Sequence, residues 1–487
     1  MQRSFLHGAP AVLRMMLLLV LLLLGSPAFA SHHPNIVFIV ADDMDYAALQ
    51  SMSATRSVIG SAGMTFTRNY VEVPLCAPSR ATFLTGLYAH NHKVLTVDNS
   101  NGGFRQFRGR GHEQRTLAVS LRDAGYATGL VGKYLNGFPD KQPETYIPPG
   151  WTYWAVAVQR GDVPYRQYNY RLNENGKLVT YRSSASDYGT DVYARKSVEF
   201  IESAVKSDKS FFLFLSVFAP HDPATVAPRH AKLFPDAGVP RTPSFAEADI
   251  SDKPSFLRNP SLDTAAIAVL DDHYARRLRA LRAVDEAVRK IYDTLKRLGR
   301  VGNTYIVFTS DNGFHLGQHR LQPGKQLAYE EDIRQPLLIR GPGVPAGRTS
   351  EHLVGNVDLA PTFAAWAGVT IPGSVDGRSL VPLLGSKPPT TWRQSFPLAR
   401  WRIPNAANDP WPEFKGTRTT RHTWVEWANG ARELYDNVAD PHQLQNLAGK
   451  SGYSTLRSKL SKLTADLAAC SGATCRTVEN RAAPVGN

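Results

Sequence analysis

Cysteine is scarce in this chain, with three in 487 residues. An odd number excludes the pairing of every cysteine in disulfides within the chain. Cys470 and Cys475 lie close together near the C-terminus and are expected to close a small disulfide loop, as in exported proteins. Cys76 is then left unpaired, which a special chemical role would explain.

Long hydrophobic runs are also lacking. The strongest candidate, Met15–Leu24, is too short to span a bilayer comfortably. Arg3 and Arg14 precede it and an Ala-x-Ala sequence ends at Ala30, so residues 1–30 are typical of a secretory signal peptide. An uncleaved anchor is the alternative. We expect a secreted or periplasmic protein with no stable membrane insertion after signal cleavage.

Motifs typical of nucleic-acid binding are absent, so nucleic acid is not an expected partner. The chain has 56 Lys and Arg against 42 Asp and Glu, a formal net charge of +14. A basic exported protein suits polyanionic partners. A generally basic surface with no ligand would give the same charge. Composition therefore permits an anionic substrate without specifying one.

Four apolar runs are typical of strands that are buried on both faces of a parallel sheet. Before the last of them, apolar residues from about Asp271 to Leu298 recur at helical spacing, and Gly299 follows as a stop signal. Strands alternating with helices predict an α/β fold with a mainly parallel sheet. The predicted strands are 35–41, 127–131, 211–218 and 305–309.

The character of the sequence changes after about residue 373. Residues 394–436 alternate aromatic and polar side chains, which predicts a small antiparallel sheet. Residues 453–469 are expected to form a terminal helix. We therefore expect a catalytic domain over 31–375 and a smaller C-terminal α+β subdomain over 376–487.

Polar side chains follow each of the predicted buried strands. Sites in open α/β sheets form outside the carboxyl ends of the strands, so these side chains are expected to converge. An Asp-Asp pair alone is more often a helix cap or turn. Combined with the carboxylate and amide oxygens of Asp311 and Asn312 at a second strand end, the pair suits Ca²⁺ or Mg²⁺ rather than zinc, which prefers His and Cys. The side chains are Asp42, Asp43, Lys133, His221, Asp311 and Asn312.

The most informative run extends from Leu75 to Gly86 and has the sequence Leu-Cys-Ala-Pro-Ser-Arg-Ala-Thr-Phe-Leu-Thr-Gly. Its proline suits a first helical turn, which places Cys76 at or just before a helix N-terminus that favours anions. Arg80 adds a positive charge one turn later. A buried cysteine before a surface helix is the alternative for Cys76 alone. The whole run resembles the type I sulfatase motif, whose cysteine is oxidised to Cα-formylglycine.

This resemblance implies an alkaline-phosphatase-like α/β fold, with a mainly parallel sheet between helices, and hydrolysis of a sulfate monoester. In such enzymes the formylglycine aldehyde is hydrated, one hydroxyl attacks sulfur, and sulfate leaves as the second hydroxyl loses its proton. A formylglycine-generating enzyme is the implied maturation partner. The implied ligands of Ca²⁺, or alternatively Mg²⁺, are Asp42, Asp43, residue Cys76, Asp311 and Asn312.

The resemblance implies further catalytic roles. Arg80 and Lys133 would hold the formylglycine and sulfate oxygens, and Lys325 matches the second sulfate-binding lysine of the family. His221 would protonate the leaving alcohol or bind the ester oxygen, with a plain loop residue as the alternative. Two more histidines are expected to face the pocket as substrate-binding residues: His315 and His319.

One departure distinguishes the chain from many arylsulfatases, because Leu135 stands where they carry a histidine two residues after the lysine. The run Gly132–Asn136 resembles instead the N-acetylglucosamine-6-sulfatases and the heparan endosulfatases. The expected substrate is therefore N-acetylglucosamine 6-sulfate in a glycan such as a glycosaminoglycan. The alternatives are an arylsulfatase, a phosphate mono- or diester hydrolase on the same scaffold, and an inactive glycan-binding protein.

Overall fold

A large mixed sheet lies at the centre of the computed structural model, which describes residues 33–97, 100–159, 163–404 and 409–485. The signal peptide expected over residues 1–30 lies outside the described residues. The strands of the large sheet are β1 (Asn35–Ala41), β2 (Met64–Tyr70), β3 (Ala127–Gly132), β4 (Tyr153–Ala157), β5 (Tyr170–Glu174), β6 (Lys177–Tyr181), β7 (Phe211–Ser216), β8 (Thr304–Ser310), β9 (Arg334–Arg340), β10 (Arg348–Ser350) and β11 (Val354–Gly355).

Parallel pairing dominates the middle of this sheet. The strand order is β10-β2-β9-β8-β1-β7-β3-β4-β5-β6, and β11 also pairs with β2. Strands β8, β1, β7, β3 and β4 are parallel neighbours. Antiparallel pairs occur towards both edges, where β9 pairs with β2 and β8, and β5 pairs with β4 and β6. The predicted parallel core is therefore flanked by antiparallel strands that periodicity did not predict.

Helices cover both faces of the large sheet, and the last two helices of the chain pack instead on the smaller C-terminal sheet. Successive side chains of β1 point to opposite faces of the sheet. Val37 and Ile39 belong to the apolar cluster on one face, and Ile36 and Phe38 belong to the cluster on the other. This two-sided burial explains the unbroken apolar run. The described helices of seven or more residues are α1 (Cys76–Thr85), α2 (Gly103–Gly109), α3 (Leu117–Asp123), α4 (Gly189–Lys206), α5 (Thr264–Arg297), α6 (Leu359–Ala367), α7 (Ser454–Ala469) and α8 (Ala473–Glu479).

Helix α5 begins earlier than the apolar periodicity indicates. Its first helical residue is Thr264 rather than a residue near Asp271, and the side chain of Asp263 caps it by accepting from Ala266 N–H at 2.8 Å. The first turns are largely exposed, and residues 265–270 are apolar at every position, so no one-sided periodicity marks the start of the helix. Within the described residues, no helix is both long enough and apolar enough to cross a membrane.

The C-terminal region forms the expected small antiparallel sheet, followed by α7 and α8. Its strands, in spatial order, are β12 (Ser395–Arg400), β13 (Phe414–Thr419), β14 (His422–Trp427) and β15 (Arg432–Asp436). The expected disulfide joins Cys470 to Cys475 between the two helices. The division into a domain over 31–375 and a subdomain over 376–487 stays a prediction.

Candidate active site

Cys76 is the first residue of α1, as the proline-containing run predicted. Leu75 is extended and precedes the helix, and Gly86 ends it in the left-handed conformation with φ of 69°. Cys76 is 2% exposed. The helix therefore presents a buried sulfur at its N-terminus, where backbone N–H groups favour negative charge.

The expected convergence of strand ends is observed. Because β1 and β8 are parallel neighbours with Ala41 opposite Ser310, the Asp pair after β1 lies beside Asp311 and Asn312. Asp311 Oδ1 accepts from the N–H of Asp43 at 3.1 Å, and Asn312 Nδ2 donates to Asp43 Oδ1 at 2.7 Å. These polar groups form one buried cluster at the carboxyl end of the sheet.

The sulfur of Cys76 lies within this cluster. Its Sγ is 3.4 Å from Asp42 Oδ1 and 3.8 Å from Asp43 Oδ1. Lys325 Nζ donates to the same sulfur at 2.8 Å and also contacts Asp43 Oδ1. Burial raises the pKa of the Cys76 thiol to about 12. An unmodified thiol here is protonated near neutral pH and is a poor nucleophile.

Three cations, of which Arg80 and Lys133 are buried, offset the carboxylates. Lys133 Nζ donates to Asp42 Oδ2 at 2.5 Å, and Arg80 Nε donates to Asp311 Oδ2 at 2.8 Å. Lys325 is the third, next to Asp43. Of the three, Lys325 contacts the sulfur itself, and the sulfate-binding roles implied by the resemblance stay predictions.

The pKa values of the three carboxylates shift in different directions. Burial by itself would raise the pKa of Asp42, yet Lys133 and its neighbouring cations hold that pKa far below its ordinary value. The pKa of Asp43 is likewise lowered against the effect of burial, mainly by Lys325. Burial, reinforced by the charge of Asp42, raises the pKa of Asp311 to about 6. Two carboxylates are thus firmly ionised without any metal charge.

The donor atoms fit a hard divalent cation. Ligand atoms of Asp42, Asp43, Cys76 and His221 all lie within 4.8 Å of one another. The Oδ1 atom of Asn312 is buried and has no hydrogen-bond partner among the described residues. Carboxylate and amide oxygens are the ligands that Ca²⁺ and Mg²⁺ prefer. The predicted metal ligands are therefore brought together in one place.

His221 lies at the open side of the cluster. Its Nε2 is 3.5 Å from Asp43 Oδ2, and Nδ1 donates to the carbonyl of Asp222 at 2.9 Å. A quarter of the side chain, 26%, is exposed. His221 also lines a cavity of about 550 Å³ together with Tyr165, Arg166, Asp222 and Pro223. The histidine is thus placed between the cluster and a space that a substrate can enter.

The two later histidines are held by other loop residues. His315 Nδ1 pairs with Asp332 Oδ1 at 2.8 Å, and His319 Nδ1 pairs with Glu247 Oε2 at 2.6 Å. Both side chains are almost wholly buried, and burial lowers the pKa of His319 to about 3. His319 also stacks on Tyr329. Their substrate-binding roles stay predictions.

Two residues near the cluster had no signal in the sequence. Ser216, the last residue of β7, accepts a hydrogen bond from Arg80 Nη1. Tyr165 lies on a short turn and contacts both Lys133 and His221. Neither belongs to a motif, so only the fold reveals them.

Leu135 is wholly buried in an apolar cluster, so it supplies no proton-transfer group.

Comparison with known proteins identifies the family. Residues 34–369 match the family model described as Sulfatase. The chain belongs to the sulfatase family. A second model, described as N-sulphoglucosamine sulphohydrolase, C-terminal, matches residues 317–469 of this sulfatase. The resemblance carried by the Cys76 run is therefore confirmed at the level of the family.

Relatives of this sulfatase include the N-acetylglucosamine-6-sulfatase of Capra hircus, which is 35% identical over 487 residues. That match covers 92% of this chain and 86% of the goat protein. An extracellular sulfatase SULF-1 homolog of Drosophila melanogaster is 40% identical over 413 residues. The fly match covers 84% of this chain but only 34% of the fly protein, so the chain spans about a third of that relative's length.

A solved structure shares the fold of this sulfatase with a TM-score of 0.74 and 26% sequence identity. The match covers 89% of this chain and 97% of the solved chain, which was determined in complex with its substrate D-glucosamine-2-N,6-O-disulfate. The sulfatase therefore has the alkaline-phosphatase-like fold that the sequence predicted, with a C-terminal antiparallel sheet.

Proposed function

We propose that this sulfatase is exported and hydrolyses the 6-sulfate of N-acetylglucosamine in a glycan such as a glycosaminoglycan. The observation that carries the proposal is the position of Cys76, buried between the Asp42–Asp43 pair and Lys325 at a helix N-terminus. Family membership supports sulfuric ester hydrolysis. The substrate is supported by goat N-acetylglucosamine-6-sulfatase, which matches over most of both chains.

The nucleophile in this proposal is formylglycine made from Cys76 by a formylglycine-generating enzyme. Its hydrated aldehyde supplies a hydroxyl nucleophile and a built-in route for releasing sulfate. The chain holds residue 76 at the start of α1, so the backbone of one rigid element aims it at the cluster. The raised pKa of the thiol makes the encoded side chain itself a poor nucleophile, which is consistent with a modified residue at this position.

The oxygen donors of Asp42, Asp43, Asp311 and Asn312 would hold Ca²⁺, with Mg²⁺ as the alternative. Such a cation supplies positive charge that favours ionisation of a nearby hydroxyl and polarises sulfate oxygens. Arg80 is already bound to Asp311 at 2.8 Å, and this contact keeps the carboxylate of Asp311 turned towards the cluster.

Lys133 and Lys325 bind the sulfate oxygens in the proposed mechanism. Lys133 follows β3, is buried and donates to Asp42, whereas Lys325 lies in the loop that follows β8, is 12% exposed and donates to the Cys76 sulfur. Charges that are fixed in a water-poor site stabilise developing negative charge without reorganisation at the moment of reaction. The two ammonium groups therefore bind the substrate and also favour transfer.

His221 delivers the proton to the leaving alcohol. A carbonyl oxygen only accepts, so the hydrogen bond to Asp222 requires a hydrogen on Nδ1 of His221. Nε2 faces the cluster at 3.5 Å from Asp43 and is the nitrogen that can protonate the ester oxygen. The opening beside the ring leaves space for the departing sugar.

Mass spectrometry of the peptide that contains residue 76, from protein made in the native host, tests the nucleophile. We expect the mass of formylglycine. A pure unmodified thiol would contradict the mechanism and favour a glycan-binding protein without activity.

Three substrates then test the specificity: N-acetylglucosamine 6-sulfate, an aryl sulfate and a phosphodiester. We expect turnover of the sulfated sugar with the highest kcat/KM. Turnover of only the aryl sulfate or only the phosphodiester would refute the substrate while leaving the scaffold and the nucleophile in place.

A further inference from the structure

Tyr165 lies between two residues of the proposed mechanism. It belongs to the short turn Val163–Arg166, in a region where the sequence has no motif. Its ring centroid is 4.4 Å from that of His221, and 5.0 Å from Lys133 Nζ. Phe218 packs edge-on against the same ring. The ring is therefore fixed from three directions and forms one wall of the 550 Å³ cavity.

The hydroxyl of Tyr165 has an unusual set of partners. Asn136 Nδ2 donates to it at 3.2 Å, and the ammonium of Lys133 interacts with the same oxygen. Amide N–H and ammonium groups are donors only. Both partners among the described residues therefore use the lone pairs of the oxygen and leave its own hydrogen to be donated elsewhere.

Tyr165 lines the cavity next to the cluster, together with His221. Lys133, which interacts with the hydroxyl, also donates to Asp42 Oδ2 at 2.5 Å, and Asp42 Oδ1 lies 3.4 Å from the Cys76 sulfur. A sulfate ester that reaches residue 76 through this cavity brings oxygen acceptors to the hydroxyl. Burial raises the pKa of Tyr165 to about 12, so the phenol keeps its hydrogen across the neutral range.

We propose that Tyr165 is a further catalytic residue whose hydroxyl donates a hydrogen bond to an oxygen of the sulfate group during its transfer. The inference rests on the proposed function and adds a neutral donor to the charged groups Lys133 and Lys325. A donor aimed at developing charge lowers the barrier because it needs no reorientation in the transition state. Leu135 offers no such donor, since it is enclosed by apolar side chains.

The variant Tyr165→Phe tests the proposal because it keeps the ring and removes only the hydroxyl. We expect kcat/KM for the sulfated sugar to fall about 10²-fold, the lower end of the effect of losing one oxyanion donor. Tyr168→Phe is the matched control. Tyr168 follows the same short turn and packs against Tyr188. It has no role in the proposed mechanism. Its kcat/KM is expected to stay within twofold of wild type.

An aryl sulfate identifies the oxygen that receives the hydrogen bond. A bond to the transferring sulfate lowers kcat/KM by the same factor for the aryl sulfate and the sulfated sugar. A loss confined to the sulfated sugar would place the bond on the leaving oxygen and overturn the proposal. Wild-type kinetics in Tyr165→Phe would overturn it as well.

Inorganic sulfate separates this inference from the proposed function, since its binding requires neither turnover nor formylglycine. We expect calorimetry to show about a tenfold higher Kd in Tyr165→Phe than in wild type, as for loss of one hydrogen bond to a charged acceptor. An unchanged Kd would refute the role of Tyr165 even if the wild-type protein proved inactive on every ester. If Cys76 proved unmodified but Tyr165→Phe still raised the Kd for sulfate, the formylglycine mechanism would be refuted and the contact between Tyr165 and sulfate would stand.

Discussion

The sulfur of Cys76 is enclosed by two carboxylates and one ammonium. This environment suppresses the thiolate, because burial raises the pKa of the thiol to about 12. The same position suits a neutral hydrated aldehyde, which carries hydroxyl groups instead of a thiol. At the level of single residues, the surroundings of Cys76 therefore suit the hydrated aldehyde of the proposed mechanism better than a thiolate.

Replacing Cys76 by Ala is expected to abolish turnover, by at least about 10⁴-fold, because the variant has no precursor for the nucleophile. The helical hydrogen bonds of α1 are formed by the backbone, so the free energy of unfolding should change by no more than about 1 kcal/mol. Steady-state assays and urea unfolding measure the two effects. Activity above one hundredth of wild type would show that the nucleophile is wrongly assigned.

Lys133 and Asp42 form a buried ion pair with both side chains inaccessible to solvent. Lys133→Met is expected to eliminate activity and to lower the free energy of unfolding by about 3–5 kcal/mol, because it leaves a buried carboxylate without its partner. Urea unfolding in the presence of a chelator measures this effect without compensation by a bound cation.

The double variant Lys133→Met/Asp42→Asn is the matched control for that experiment. It removes the stranded charge, so most of the stability should return while activity stays absent. Equal stability of the single and double variants would show that the two residues do not act as a pair.

At the scale of elements, the site is formed where β1 and β8 end side by side. The backbone contact between Asp43 N–H and Asp311 Oδ1 at 3.1 Å links the two strand ends directly. Three carboxylates within one cluster repel one another, and the raised pKa of Asp311 reflects this repulsion after the effect of burial. A divalent cation would relieve it.

Removing divalent cations with a chelator is therefore expected to abolish activity and lower the Tm. Adding Ca²⁺ at about one hundred times its Kd should restore about 2.7 kcal/mol of stability, since a ligand stabilises the state that binds it. Differential scanning calorimetry and activity assays follow both effects. The variant Asp311→Ala should show no Ca²⁺-dependent shift in Tm, and a full shift in this variant would refute the ligand assignment.

Strands and helices were predicted from the sequence where their burial leaves a clear apolar pattern. Strands β1, β3, β7 and β8 were predictable because burial on both faces requires an unbroken apolar run. The start of α5 was not, because residues 265–270 are apolar on every side of the helix and show no one-sided periodicity. Helix α8 was missed as well, since seven residues contain too little periodicity to identify it.

At the scale of the whole molecule, one buried ion network ties the region before α6 to the C-terminal helices. Arg393 binds both oxygens of Asp358, at 2.5 and 2.7 Å, and Glu479 at 2.9 Å. All three side chains are fully buried. The C-terminal sheet is therefore attached to the large sheet by charged contacts in addition to apolar packing.

Arg393→Met is expected to lower the free energy of unfolding by about 3–5 kcal/mol, because the buried carboxylate of Asp358 loses its counterion while Glu479 keeps only its pair with Arg378. Arg421→Met is the matched control. Arg421 pairs with Asp436 at 2.7 Å but is 51% exposed, so its loss should cost less than about 1 kcal/mol. Guanidinium unfolding compares the two variants, and similar losses would show that the buried network is not a principal attachment.

The sequence by itself determined the class of the fold, the position of Cys76 at a helix N-terminus and the identity of the family. Each depends on local chemistry: apolar runs that bury both faces of a sheet, and a contiguous motif around Cys76. Only the tertiary structure decided that Ser216 and Tyr165 lie beside the cluster and that His315 and His319 are held by loop carboxylates. These contacts depend on strand order and on irregular loops, which leave no period or motif in the chain.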